Sequence, residues 1–134
     1  MLALASVIVV GFVLAAGHAQ DVLRTLVGTW EGEVQLESGS YPRTLVITAV
    51  GERNGLPILR GEYGGARRGE STPVEIAVDQ SSGDVILRFF AESSSITLTL
   101  YKDRQHLFGS LQVGSSSGRG RRLDNPIKFT KTSN

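Results

Sequence analysis

The sequence predicts an all-β fold, an eight-stranded antiparallel up-and-down (meander) β-barrel, and three features point to it. Apolar and polar residues alternate with a period of two in segment after segment. These segments recur at a spacing of about twelve residues, with turn-forming residues between them. No stretch sustains a helical period except a possible short turn at Asp21 to Val27. A meander of this length leaves two exposed edges unless it curls shut, so closure is the expectation.

The strands read as follows. Gly28 to Leu36 alternates Trp30, Gly32, Val34 and Leu36 with Glu31, Glu33 and Gln35, one face apolar and the other wet. Arg43 to Val50 is a β-branched run with the composition of a strand buried on both sides. Asn54-Gly55 is a two-residue hairpin signal. Leu56 to Gly64 returns with Leu59, Gly61 and Tyr63 on one face, and Pro57 marks an edge or bulge at its start. Thr72 to Val78, Val85 to Ala91, Ser95 to Tyr101 and Leu107 to Val113 continue the pattern. The last strand is expected over Arg121 to Thr130, after the loose Gly114 to Gly120 stretch.

Ahead of the barrel lies a different kind of segment. The chain has 134 residues, and the first nineteen contain no Asp, Glu, Lys or Arg. Leu2 to Ala16 is an apolar run too short for a comfortable membrane span, which takes about twenty residues. Gly17 and Ala19 suit cleavage after Ala19, so residues 1–19 read as a signal peptide and 20–134 as one barrel domain, periplasmic or secreted. An uncleaved anchor is the alternative; a lipid anchor is excluded because there is no cysteine. Eleven Arg against three Lys fits a GC-rich bacterial genome.

Composition excludes several function classes. A net charge of +1 speaks against a strongly basic nucleic-acid binder. The lack of cysteine excludes disulfide scaffolds, thiol catalysis and Cys-based zinc sites. His106 beside Asp103, with Ser110 four residues on, superficially offers a nucleophilic triad. On one strand, however, positions 106 and 110 lie about 13 Å apart. Glu31, Glu33 and Glu37 read as a solvated face rather than a calcium site, which takes six to eight convergent oxygens. No phosphate loop, dinucleotide fingerprint or nucleophile elbow occurs. The expectation is therefore a protein that is not an enzyme and needs no cofactor or metal.

The stretch Leu26-Val27-Gly28-Thr29-Trp30 resembles the Gly-x-Trp opening of calycins, the group of lipocalins, fatty-acid-binding proteins and avidins. The resemblance implies that Gly28 and Trp30 close the bottom of the barrel, with a basic residue of the last strand, Lys128 or Arg122, over the indole. Leu59-x-Gly61-x-Tyr63 is similar to the avidin strand that carries a tyrosine to its ligand, and Phe129-Thr130-Lys131 to the avidin C-terminal strand. The biotin site itself is not implied: Gly32 and Leu36 stand where avidins have asparagine and serine, and Trp30 is the one tryptophan. Gly28-Thr29-Trp30-Glu31-Gly32-Glu33 also resembles the opening of nitrobindins, but His106 lies too far upstream for the histidine that holds their haem.

Two Gly-flanked basic loops stand out, Arg67-Arg68 and Arg119 with Arg121-Arg122. In a meander of eight strands the third-to-fourth and seventh-to-eighth links share one end, so five arginines would ring one mouth, suited to a carboxylate or phosphate head group. The alternative is a pair of solubilising loops. The expected inward residues are Trp30, Val34, Leu36, Leu59, Tyr63, Leu87, Phe89, Leu98, Leu100, Leu107, Leu111 and Phe129. That lining suits an apolar ligand touching Tyr63, Phe89 and Leu98, and equally a dry core. Phe90, Tyr101 and Phe108 face outward as a possible partner surface. The leading expectation is an exported, non-enzymatic barrel that binds a small apolar or amphipathic molecule. The alternative is a solid-core secreted protein-interaction module, such as a protease inhibitor or envelope accessory protein. Nucleic acid and a stable membrane span are not expected as partners.

Overall fold

Period-two alternation does build strands here, and they close on themselves. The computed structural model describes residues 21–65, 69–113 and 124–134. After a helical turn at 21–25 come β1 (Gly28–Leu36), β2 (Gly39–Arg53), β3 (Leu56–Gly64), β4 (Thr72–Asp79), β5 (Ile86–Ala91), β6 (Ser94–Leu100), β7 (His106–Val113) and β8 (Asp124–Ser133). Each strand pairs antiparallel with the next and β8 returns to β1, giving a closed eight-stranded meander barrel. The predicted signal segment, residues 1–19, lies outside the described residues. Among the described residues no helix is long and apolar enough to cross a membrane.

The β1–β2 and β5–β6 turns and the strand ends Gly64, Thr72, Val113 and Asp124 lie at one end, called upper below, and the helical turn lies at the lower end. Two strands depart from the prediction by more than one residue. β2 is longer than predicted, because Gly39 to Pro42 extend the ladder with β1 at the rim. It is not buried on both sides: Arg43, Leu45 and Ile47 share the inner face, whereas Val46 is half-buried and Thr48 to Val50 are exposed beyond a register shift at Ile47/Ala49. β8 runs three residues past the predicted Thr130, and its predicted start at Arg121 falls outside the described residues.

The predicted inner face is largely the core. Trp30, Leu59, Tyr63, Leu87, Leu98 and Leu107 are fully buried, with Val34, Phe89, Leu111 and Phe129 nearly so, while Leu36 and Leu100 are partly buried against them. Leu45, Ile47, Ile76, Ile96 and Ile127 complete the interior, and Leu23 and Leu26 seal it from below. A single contiguous apolar cluster of this kind supplies the main driving force for closure.

Three inward positions carry no side chain. A Cβ at Gly32 would collide with the carbonyl oxygen of Lys128, one at Gly61 with that of Val46, and one at Gly109 with that of Thr97. Each glycine thus lets a strand bend toward its neighbour, the sharp coiling a narrow barrel requires.

One seam is weak. β4 and β5 share only three ladder pairs, Ala77↔Arg88, Val78↔Leu87 and Asp79↔Ile86. Above them the strands continue on their other partners, β4 to Thr72 and β5 to Ala91, without pairing to each other. The lower end of the seam is fastened by Arg88, whose Nη1 donates to Asp79 Oδ2 at 3.2 Å. Ser81 donates to the other oxygen through both Oγ (2.6 Å) and N (2.9 Å). These hydrogen bonds, those of Ser81 foremost, lower the Asp79 carboxyl to about 2.

Two predictions follow from closure and from the seam. Gly109→Ala lowers stability by about 2–3 kcal/mol in urea unfolding, because the added methyl meets backbone rather than a side chain that can turn away. Gly51→Ala, whose Cβ would sit 3.6 Å from Ile58, stays within about 0.5 kcal/mol of the parent. A carboxyl lowered by folding contributes stability above its unfolded pKa and loses it as pH falls through the folded one. The seam fastening is therefore complete above about pH 4 and fades toward pH 2. NMR titration of Asp79 should show that midpoint, and Ser81→Ala should raise it.

Candidate functional site

The two ends of the barrel differ chemically. At the lower end the polar groups around Trp30 are matched. Trp30 Nε1 donates to the Leu26 carbonyl at 2.9 Å, pinning the helical turn beneath the indole. Gly28, with φ +143°, begins β1 where a side chain would strike the Ser133 carbonyl. The cation over the indole is Lys131, its Nζ 5.8 Å from the ring centroid and donating to the Thr25 carbonyl at 2.6 Å. Lys128 does not fill that role. Ile127, Phe129 and Lys131 share the inner face, which turns Lys128 outward between Glu33 and Phe108. Arg122, the other cation the resemblance suggested, lies outside the described residues.

At the upper end the groups are not all matched. Tyr63, inward on β3, is fully buried, and among the described residues its hydroxyl has no hydrogen-bond partner. Burial pushes the hydroxyl above its ordinary pKa; the Arg43 guanidinium, close beside it but outside hydrogen-bond geometry, lowers it and the Glu92 carboxylate raises it, so it stays a neutral donor. Its ring meets Phe89 edge to face at a centroid distance of 5.4 Å.

Arg43 comes from the inner face of β2, opposite Gly32. Its Nη1 donates to the Pro42 carbonyl at 2.8 Å, and its buried Nε finds no partner among the described residues. Nη2 lies 3.8 Å from Glu92 Oε2, a long contact. Glu92 and Ser93 form the two-residue β5–β6 turn with φ of +53° and +62°. Non-glycine residues in that region cost about 1–3 kcal/mol each, strain that the flanking ladder must hold.

The arrangement is a buried neutral donor beside a cation that lies 3.8 Å from the Glu92 carboxylate. It has no nucleophile–base pair, but it can hold an anion: a carboxylate oxygen can accept from Tyr63 Oη and from the Arg43 fork while Glu92 swings away. Of the predicted contacts, Tyr63, Phe89 and Leu98 face inward as expected, and Tyr63 and Phe89 meet. Arg67, Arg68, Arg119 and Arg121 lie outside the described residues, although the strands flanking their links do converge on this end. Arg43 was missed as a site residue. The signal for it was the alternation Arg43, Leu45, Ile47, which places a cation on a face otherwise apolar.

The other motifs stay on the surface. His106 Nδ1 and Asp103 Oδ2 are 2.6 Å apart, both half exposed, and the Gln105 amide with His106 holds the Asp103 carboxyl below its usual range. Among the described residues no group of three or more His, Cys, Asp or Glu is placed to hold a metal ion. Cavities of 310–560 Å³ formed by described residues lie on the outer wall and beside the lower turns. Comparison of the chain with protein-family models, with curated proteins and with solved structures gives no match.

An unpartnered buried hydroxyl costs about 1–3 kcal/mol. Tyr63→Phe should therefore raise the stability of the ligand-free protein by about 1 kcal/mol in urea unfolding. A loss of stability instead would mean that the hydroxyl is already satisfied.

Proposed function

We propose that this protein is a non-enzymatic, calycin-like barrel that binds a small amphipathic molecule, its acidic head group held at the upper end by Tyr63 and Arg43. The observation that carries the reading is the fully buried Tyr63 hydroxyl, without a partner among the described residues and next to a guanidinium. Natural cores rarely leave such groups unmet, and those that do so beside a cation fit an anion. The inner-face rings and aliphatic side chains around Phe89 and Leu98 suit the apolar part of the ligand. Arg67, Arg68, Arg119 and Arg121, on links assigned to the same end, would draw an anion toward it. The plug of Trp30 under Lys131 supports kinship with calycins. In this reading the chain is exported to the periplasm or beyond on the apolar segment before Ala19.

A second reading is a solid-core module that binds another protein. It is favoured by the outward Phe90, Tyr101 and Phe108, which are 82%, 55% and 47% exposed, and by cavities that lie outside the wall.

Native mass spectrometry of the protein drawn directly from producing cells separates the two. A reproducible adduct of a few hundred daltons is expected, and an adduct-free protein bound to a second polypeptide would favour the partner reading. In titrations, Arg43→Gln should weaken binding of a long-chain carboxylic acid about tenfold or more, since hydrogen bonds to charged groups contribute about 1.5–3 kcal/mol. Binding of the matching alcohol should hardly change.

A further inference from the structure

Resting on that reading, we propose that the ligand is elongated, and that it enters tail-last through the side of the barrel, between β4 and β5. The part of its apolar chain next to the head lies inside, by Phe89 and Leu98, the far end of the tail stays in the groove outside the wall, and Phe89 acts as the gate between the two.

Four observations meet at this place. The β4–β5 ladder stops after three pairs, so the upper halves of two neighbouring strands face each other without backbone hydrogen bonds between them. In every other neighbouring pair the ladder has at least six pairs. A groove of about 330 Å³ lies over this seam, and its walls include Leu56, Ile58, Ala77 and Phe90. Leu56 and Phe90 are the most exposed large apolar side chains among the described residues, at 68% and 82%. The same groove is bounded by Phe89, which belongs to the inner face and is only 2% exposed. That ring also meets Tyr63 edge to face.

Phe89 therefore borders the outer groove and also meets the ring that carries the unpartnered hydroxyl. Rotation of Phe89 out of the wall needs no ladder hydrogen bond to break between β4 and β5, because none is made at its level. The position opposite Phe89, were the ladder continued, is Ile76, and the same count would next set Val74 against Ala91, two short side chains. Below, Arg88 on Asp79 keeps the strands together. At the groove's rim Arg53 Nε donates to Glu75 Oε1 at 2.9 Å, drawing the Glu75 side chain toward β2 and off the gap. The rim is thus charged and the floor apolar, the lining an alkyl chain with an acidic head would select. The groove matches the tail, and Tyr63 with Arg43 matches the head.

The test closes the seam reversibly. Glu75→Cys with Phe90→Cys puts two thiols at facing outward positions in a chain that has no other cysteine. A disulfide or a short cleavable dithiol reagent then ties the strands. Uptake of a fluorescent long-chain fatty acid is followed by stopped flow in the tied and the reduced protein. Tying should slow uptake by about tenfold or more, and reduction should restore it. Independently, Phe89→Ala should speed uptake by a similar factor in the untied protein. Uptake at the same rate in tied, reduced and Phe89→Ala proteins, with binding intact, overturns the side route and leaves ligand binding at Tyr63 standing. Failure of the parent protein to bind the acid overturns both.

Discussion

Closure of a narrow barrel is the constraint on which everything else depends. Eight strands can surround an interior of side-chain width only if they coil strongly, and coiling brings backbone against backbone at the inner corners. Gly32, Gly61 and Gly109 occupy those corners. Their lack of a side chain has a second effect, since every inward glycine subtracts volume from the core. The large residues Trp30, Tyr63, Phe89 and Phe129 make up that volume in two groups. Trp30 lies toward the lower end and the Tyr63–Phe89 pair toward the upper, so filling the barrel and dividing it into two unlike ends are one geometric solution.

The ends are then free to take opposite roles. Below, the indole is held by a carbonyl acceptor and a lysine, and each polar atom named there is matched. Above, the Tyr63 hydroxyl and the Arg43 Nε are buried without a partner among the described residues. Matched groups at one end stand against unmet groups and a strained two-residue turn at the other.

The strands were legible because alternation is a local signal that burial on one face enforces. Leu59, Gly61 and Tyr63 fixed both the β3 strand and the inward direction of the tyrosine. Charged inward residues were harder to read. Arg43 and Lys131 each continue an inner face, from Leu45 and from Phe129, but a positive charge argues for solvent until the partner that receives it is known. For Lys131 that partner is the Thr25 carbonyl, 106 positions away in sequence. The incomplete β4–β5 ladder left no trace at all. Thr72 to Val78 and Val85 to Ala91 look like complete strands, and whether two strands pair along their full length depends on the twist of the whole barrel.

The contact between β1 and β8 has a consequence for how the molecule is made. Trp30 pairs with Lys131, so the ladder that shuts the barrel and the cation that caps its plug come from a single late strand. The other ladders join strands adjacent in sequence and can form as hairpins while the chain lengthens. The β1 edge must wait, with the indole exposed and its backbone groups open to any neighbouring strand. Loop closure over a hundred residues is entropically modest but slow relative to hairpin formation. Until β8 docks, the β1 edge has no partner strand, so protection from mispairing rests on the last strand described.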